Sequence, residues 1–306
     1  MHKAKKPLPL RKGDVIAIFA PAGPVDSKRL SRGIARLGKA GFVPEVADGL
    51  MSKDGYLAGS DSHRTDQALW ALSLPEARAA MAARGGYGTT RLLPHIDWKK
   101  FARRPRLVVG YSDLTAILSY LSTRLGIPSI HGPMAAADLA TRADGPALAA
   151  FARLAAGEAS PLEPWGLPCE RLRGGAVEGI LSGGCISVIT SLLSTPFEPD
   201  FRGALLFLED VAEPCYRIDR MLTQWIQSGR LRGIAGIVVG KIRPVGGDTG
   251  EDLRRVFAYA GRSLSVPVWY GFPAGHEGPN YALPFGVRAR IDSRGRLYLL
   301  ESPVAG

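Results

Sequence analysis

Residues 105–114, Pro-Arg-Leu-Val-Val-Gly-Tyr-Ser-Asp-Leu, set Ser112 at the corner between a short apolar run and a helical pattern. Leu107, Val108 and Val109 suit a buried strand, and Leu114, Ile117, Leu118, Leu121 and Leu125 share one helical face. Gly110-Tyr111-Ser112-Asp113 has the look of a nucleophile elbow, a sharp strand-to-helix turn that lifts a hydroxyl above a sheet. There the N–H of Asp113 would lie near the helix N-terminus, where it can hold an oxyanion. Two features weigh the other way. The second glycine of the usual elbow is Leu114 here, and serine and aspartate are both favoured helix caps. Taken by itself, the stretch reads as a cap.

A nucleophilic serine needs a base, and the base needs an acid to orient it. His276 is the best base, in the Gly- and Pro-rich segment Gly-Phe-Pro-Ala-Gly-His-Glu-Gly-Pro-Asn that follows a strand expected to end at Trp269-Tyr270. His95 and His131 are the other candidates, the second close to the serine helix. For the acid, Glu209 and Asp210 close the apolar run Ala-Leu-Leu-Phe-Leu, and functional groups collect at such strand ends in α/β folds. A solvated strand end would explain Glu209 equally well. In Arg84-Gly-Gly-Tyr-Gly, the glycines free backbone N–H groups to face an anion, so Gly86 is both a turn residue and an oxyanion donor.

Other chemistries find less support. The five histidines are isolated, with no HExxH and no close Cys/His group, so neither a metal nor another cofactor is expected. Gly85, Gly86 and Gly88 do not make GxGxxG, and Gly-Ile-Val-Val-Gly-Lys at 236–241 is one residue short of a P-loop. The net charge is +11, but the basic residues are scattered, without a basic helix or basic–aromatic alternation. That pattern implies a basic surface suited to anionic substrates, not a nucleic-acid partner. Three widely spaced cysteines point to a reducing compartment, with the cytoplasm as the default. No apolar run approaches the length needed to span a bilayer, so no membrane partner is expected. The N-terminal Val-Ile-Ala-Ile-Phe-Ala, with Asp14 directly before it, reads as a first strand and not as a targeting segment.

These groups must be held by a chain of 306 residues, 46% hydrophobic and 22% charged, a length that favours two domains. A strand at 14–20, a helix carrying Leu30, Ile34 and Leu37, and a second helix closed by Pro75 begin an alternation that continues through Ser112. Strands alternating with helices imply an α/β fold with a mostly parallel sheet. Residues 141–172 turn Ala-rich and then Pro- and Gly-rich, which suits a helix followed by a linker. The domain boundary is therefore expected near residue 160, giving 1–160 with the serine and 161–306 with the acid and the histidine. Beyond it come a helix after Cys185, strands at 203–211 and 234–242, an amphipathic helix between them, and a C-terminal hairpin turning at Ser293-Arg294-Gly295.

Together these stretches resemble the LD-carboxypeptidase family, serine peptidases that trim murein tetrapeptides. The likeness runs through nearly the whole chain, in order, and includes Arg-Gly-Gly-Tyr-Gly, Gly-Tyr-Ser-Asp, Leu-Glu-Asp with the following Tyr-x-Ile-Asp-Arg, and Gly-His ahead of Gly-Pro. It implies Ser112 as nucleophile, His276 as general base, Glu209 as the orienting acid, and the N–H groups of Gly86 and Asp113 as the oxyanion hole. It also implies an N-terminal mostly parallel α/β sandwich domain and a smaller C-terminal α/β domain with the site between them. A homodimer acting in the cytoplasm on recycled muropeptides is implied as well. The chain departs from the family at Cys185, often Asn, and at Pro21-Ala22, more often Pro-Ser. Two substrates fit: murein tetrapeptide, cut between meso-diaminopimelate and D-Ala, or peptidyl and aminoacyl nucleotide antibiotics cut by self-immunity peptidases. The chemistry suits either, because an amide needs an activated nucleophile, oxyanion donors and a proton for its leaving amine.

Overall fold

The computed structural model describes residues 6–141 and 145–306. The start of the N-terminal segment and residues 142–144, at the start of the expected helix-and-linker stretch, lie outside them, as does His2.

Two sheets organise the chain. The first begins with β1 (Val15–Phe19), β2 (Val43–Val46), β3 (Ala77–Ala82), β4 (Leu107–Gly110) and β5 (Ser129–His131), all parallel. The second comprises β6 (Glu170–Arg173), β7 (Val177–Cys185), β8 (Ala204–Glu209), β9 (Gly236–Lys241) and β10 (Val268–Gly275). Of these, β7 to β10 form a parallel centre. Next in the chain, β11 (Leu283–Phe285) leaves its neighbours and joins the first sheet, antiparallel to β5, with Leu283 opposite His131. Finally β12 (Val287–Ile291) and β13 (Leu297–Leu299) form the expected hairpin, and β12 pairs with β7. The strand orders are β11-β5-β4-β3-β1-β2 and β13-β12-β7-β8-β9-β10-β6. The protein is thus a mixed α/β molecule of two domains.

Nine helices connect and cover the sheets among the described residues: α1 (Ser27–Lys39), α2 (Asp61–Ser73), α3 (Thr89–Leu92), α4 (Trp98–Arg103), α5 (Thr115–Arg124), α6 (Gly145–Ala156), α7 (Ile186–Leu192), α8 (Cys215–Gln227) and α9 (Gly250–Leu264). Their starts follow local chemistry: Asp26 caps α1, Ser60 caps α2, and Thr249 with Asp252 makes a capping box on α9. None is long and apolar enough to cross a membrane.

Both parallel centres are apolar on both faces, as a sheet covered by helices must be. Leu107, Val108 and Val109 of β4 and Leu205 to Leu208 of β8 are fully buried, each such side chain contributing about 1.5–3 kcal/mol of transfer free energy. Side chains of both sheets, Val109 and Phe207 among them, meet in one continuous core. The segment after α6 is pinned, although its composition suggests a linker. Trp165 is buried, its backbone N–H donates to Leu297 O at 2.6 Å, and its indole donates to Ala282 O at 2.8 Å.

Candidate active site

Ser112 sits where β4 ends, and its backbone is left-handed, φ 60°. A non-glycine residue there carries a cost of order 1–3 kcal/mol and persists only where the surroundings enforce it. The enforcement is visible on both sides. Thr115 at the start of α5 accepts the Cys185 N–H at 3.1 Å, tying the corner to the end of β7. Asp113, 2% exposed, sends its carboxylate away from the cleft to accept the Thr89 N–H at 2.7 Å. Neither Ser112 nor Asp113 caps α5 through its side chain. Among the described residues the serine hydroxyl has no hydrogen-bond partner. Burial pushes the Asp113 carboxyl above its ordinary value, with Thr89 and the Arg64 charge opposing.

The Gly-rich loop comes against this corner. A Cβ on Gly85 would lie 2.8 Å from Ser112 Oγ, so only glycine lets the loop close on the serine. Gly86 takes φ +134° and presses on Gly23, and its N–H has no acceptor among the described residues. Asp113, by holding the first N–H of α3, ties the elbow to the element that follows this loop.

The acid and the imidazole come from the second sheet. Glu209 ends β8 fully buried, and its Oε2 lies 2.6 Å from His276 Nδ1. His276 directly follows β10, which runs on to Gly275 and does not stop at the Trp269-Tyr270 pair where the sequence suggested a strand end. Gly275 makes this approach possible: a Cβ there would sit 2.9 Å from Lys241 O and 3.2 Å from Glu209 Oε2. Its N–H donates to Asn280 Oδ1 at 3.0 Å, and Asn280 donates onward to Asp138 at 3.2 Å. Burial disfavours the His276 imidazolium, but Glu209, by charge and hydrogen bond, with Asp210 and Asp138, outweighs it, so the pKa lies above the ordinary value. Asp210 instead binds the N–H groups of Ser187 and Val211 and the Cys185 thiol.

Ser112, Gly86 and His276 line one cleft of about 520 Å³. Tyr111 packs edge-on against the His276 ring, centroids 5.0 Å apart. No hydrogen bond joins the serine to the imidazole in this arrangement; such contacts often tighten only when substrate enters. The rival histidines take no place in the cleft. His95 is exposed on the turn after α3, and His131 is fully buried against Tyr111, Phe207 and Phe285, its pKa pushed down to about 3 by burial and then by the nearby His276. Among the described residues no group of three His, Cys, Asp or Glu side chains is arranged to hold a metal. Sequence reasoning did not single out Tyr111, Asp26, Arg29 or Arg84 of the cleft wall. Arg84 stood beside the Gly-rich loop as a signal, whereas Asp26 and Arg29 look like ordinary residues of a helix start.

Comparison with known proteins agrees with this architecture. The LD-carboxypeptidase N-terminal domain model matches residues 16–132, and the C-terminal domain model matches 178–291. A Bacillus subtilis protein named "Probable murein peptide carboxypeptidase" is 34% identical over 98% of this chain and 95% of its own. The crystal structure of muramoyltetrapeptide carboxypeptidase from Oxalobacter formigenes superposes with TM-score 0.81 at 32% identity, covering 93% of this chain and 97% of that one. A structure of MccF in complex with glutamyl sulfamoyl guanosine superposes at 0.90 with 22% identity, covering 98% and 99%, a likeness of fold alone. The chain belongs to the LD-carboxypeptidase family, a family of serine peptidases.

Proposed function

We propose that this protein is a serine LD-carboxypeptidase that releases the terminal D-Ala of murein tetrapeptide. The observation that supports it most is the left-handed Ser112 sharing a cleft with His276, whose Nδ1 is held by buried Glu209. Glu209 fixes the Nδ1–H tautomer and leaves Nε2 free to accept a proton. His276 takes the Ser112 proton as Oγ attacks the carbonyl between the L-centre of meso-diaminopimelate and D-Ala. The N–H groups of Gly86 and Asp113 receive the developing oxyanion. The C–N bond then breaks, His276 gives its proton to the departing amine, and D-Ala leaves. Water attacks the acyl-enzyme with His276 again as base, and Ser112 is restored. The three cysteines are free and buried, which suits the reducing cytoplasm as the place of action.

The test is incubation with L-Ala-D-Glu-meso-diaminopimelate-D-Ala and detection of D-Ala by mass spectrometry. Release by the wild type and a loss of about 10⁴-fold or more in Ser112→Ala are expected. No release at high enzyme concentration sinks the substrate assignment, and full activity in Ser112→Ala sinks the mechanism. Preferential hydrolysis of an aminoacyl-sulfamoyl adenosine in competition would move the substrate to the antibiotic class.

A further inference from the structure

The cleft beside Ser112 has two cationic side chains in its wall, Arg29 from α1 and Arg84 from the Gly-rich loop. Each is held by backbone carbonyls and not by an acid. Arg84 donates from Nε to Gly85 O at 3.1 Å and from Nη1 to Pro24 O at 3.0 Å. Arg29 donates from Nε to Ala136 O at 2.8 Å and from Nη2 to Ala137 O at 3.0 Å. Among the described residues neither guanidinium forms an ion pair, in contrast to Arg91, Arg153, Arg230 and Arg254, each of which has a carboxylate partner. Asp26 shares the wall, with its Oδ1 taken by the Arg29 backbone N–H at 2.8 Å. Two cations therefore face one anion, and the cleft is left cationic.

Such an arrangement has a chemical consequence. A guanidinium carries five N–H donors, so two bonds to carbonyls orient the group and leave three donors for a ligand. Planar forks held in this way match a carboxylate in geometry and charge. Arg84 is also close to the reacting atoms. It is hydrogen-bonded to Gly85, whose Cα faces Ser112 Oγ, and it is backed by Gly23, where a Cβ would lie 3.4 Å from the guanidinium carbon. In a peptide whose last amide sits over Ser112, the terminal carboxylate is one carbon beyond the leaving nitrogen, on the side of the departing residue.

We propose that Arg84, with Arg29 behind it, forms the subsite that binds the free terminal carboxylate of the substrate and so restricts cleavage to the last residue. The assignment rests on the carboxypeptidase reading of the same cleft. The pair reads a charge at the chain end, whereas Ser112 and His276 act on the amide.

The experiment compares the tetrapeptide acid with its C-terminal amide, in the wild type and in Arg84→Gln, Arg84→Lys and Arg29→Gln. The wild type is expected to favour the acid strongly. Arg84→Gln lowers kcat/KM for the acid about 10²-fold, mostly through KM, and leaves the amide nearly unchanged, so the preference collapses. Arg84→Lys, with the charge but not the fork, falls in between, and Arg29→Gln loses less than Arg84→Gln. An unchanged acid-to-amide ratio in both Gln variants, with wild-type cleavage intact, overturns the subsite and leaves the function standing. If the wild type cleaves neither peptide, the carboxypeptidase reading fails, and the subsite is judged separately by fluorophosphonate labelling of Ser112. N-acetyl-D-alanine should slow that labelling where N-acetyl-D-alaninamide does not, and the difference should vanish in Arg84→Gln. Equal slowing by acid and amide overturns the proposal. Labelling at the wild-type rate without either additive shows that the variant elbow is folded.

Discussion

The serine corner at the end of β4 and the acid–imidazole pair at the ends of β8 and β10 are built in opposite ways. Ser112 is placed by its backbone: a left-handed φ, glycines pressed against it, and a hydroxyl with no hydrogen-bond partner among the described residues. His276 is placed by a side chain, through one short bond to a carboxylate wholly removed from water. The difference suits the two tasks proposed for them. A nucleophile must be free to move toward a carbonyl, so its orientation is stored in the main chain. A base must hold one tautomer while its charge changes, so its orientation is stored in a hydrogen bond. Perturbing a side chain should therefore cripple the second region, and perturbing a backbone or a turn should alter the first.

The largest break is expected at the imidazole. Glu209→Gln keeps the shape but loses the charge, and kcat/KM should fall about 10³–10⁴-fold. Because the proposed reaction needs neutral His276 and Glu209 raises its pKa, activity in the wild type should be lost as pH falls through a value above 6.5. In the variant that acid limb should move to lower pH, as a pH profile of kcat/KM would show. An unmoved limb would separate Glu209 from the titration of the base.

On the serine side, Asp113→Ala leaves the Thr89 N–H without its buried acceptor. It should cost about 1–3 kcal/mol in urea unfolding, and kcat should drop by about 10-fold or more as the Gly86 loop loosens. Asp113→Asn keeps an acceptor and should lose less of both. Equal losses in the two variants would mean that the carboxylate charge, and not the tie, is what counts.

His131 sharpens the comparison, since Tyr111 touches both imidazoles. Its native pKa of about 3 lies below the ordinary 6.5. The unfolded chain therefore takes up a proton below 6.5 that the native protein refuses, and the stability contribution, full above 6.5, is lost as pH falls toward 3. At pH 5 the loss is about 2 kcal/mol, and His131→Phe should remove that share of the acid sensitivity in unfolding curves. The smallest effect is the reverse of damage. Ser112→Gly relieves the left-handed strain and should unfold about 1 kcal/mol less readily than Ser112→Ala. Equal stabilities would show that the corner is not strained.

Much of the positioning was legible in the chain, and the exceptions have physical reasons. The run at 107–110 and the apolar face after Ser112 announce a strand and a helix by periodicity alone, which short-range chemistry enforces. A cap and an elbow, in contrast, use the same residue types, so Ser112 alone favoured the commoner use. The left-handed φ comes from what packs around it, Gly85 and the end of β7, which lie distant in sequence. The end of β10 was misplaced because Gly271 and Pro273 read as a turn, although the strand passes through them with only a shift in its register against β9. β11 escaped notice for a related cause: three residues with Pro284 among them and Gly286 next carry too little pattern to mark a strand.

That short strand has a mechanical effect. His276 follows a strand of the second sheet, and within a few residues the chain is laced into the first sheet opposite His131. The histidine loop is therefore stitched at one end to each sheet, like a rung between two rails. Neither half can swing away without pulling on His276, and a fragment ending near residue 160 would leave the β5 edge bare. The proposed catalytic groups are distributed over two sheets, but this crossover strand makes the sheets answer to strain as one body.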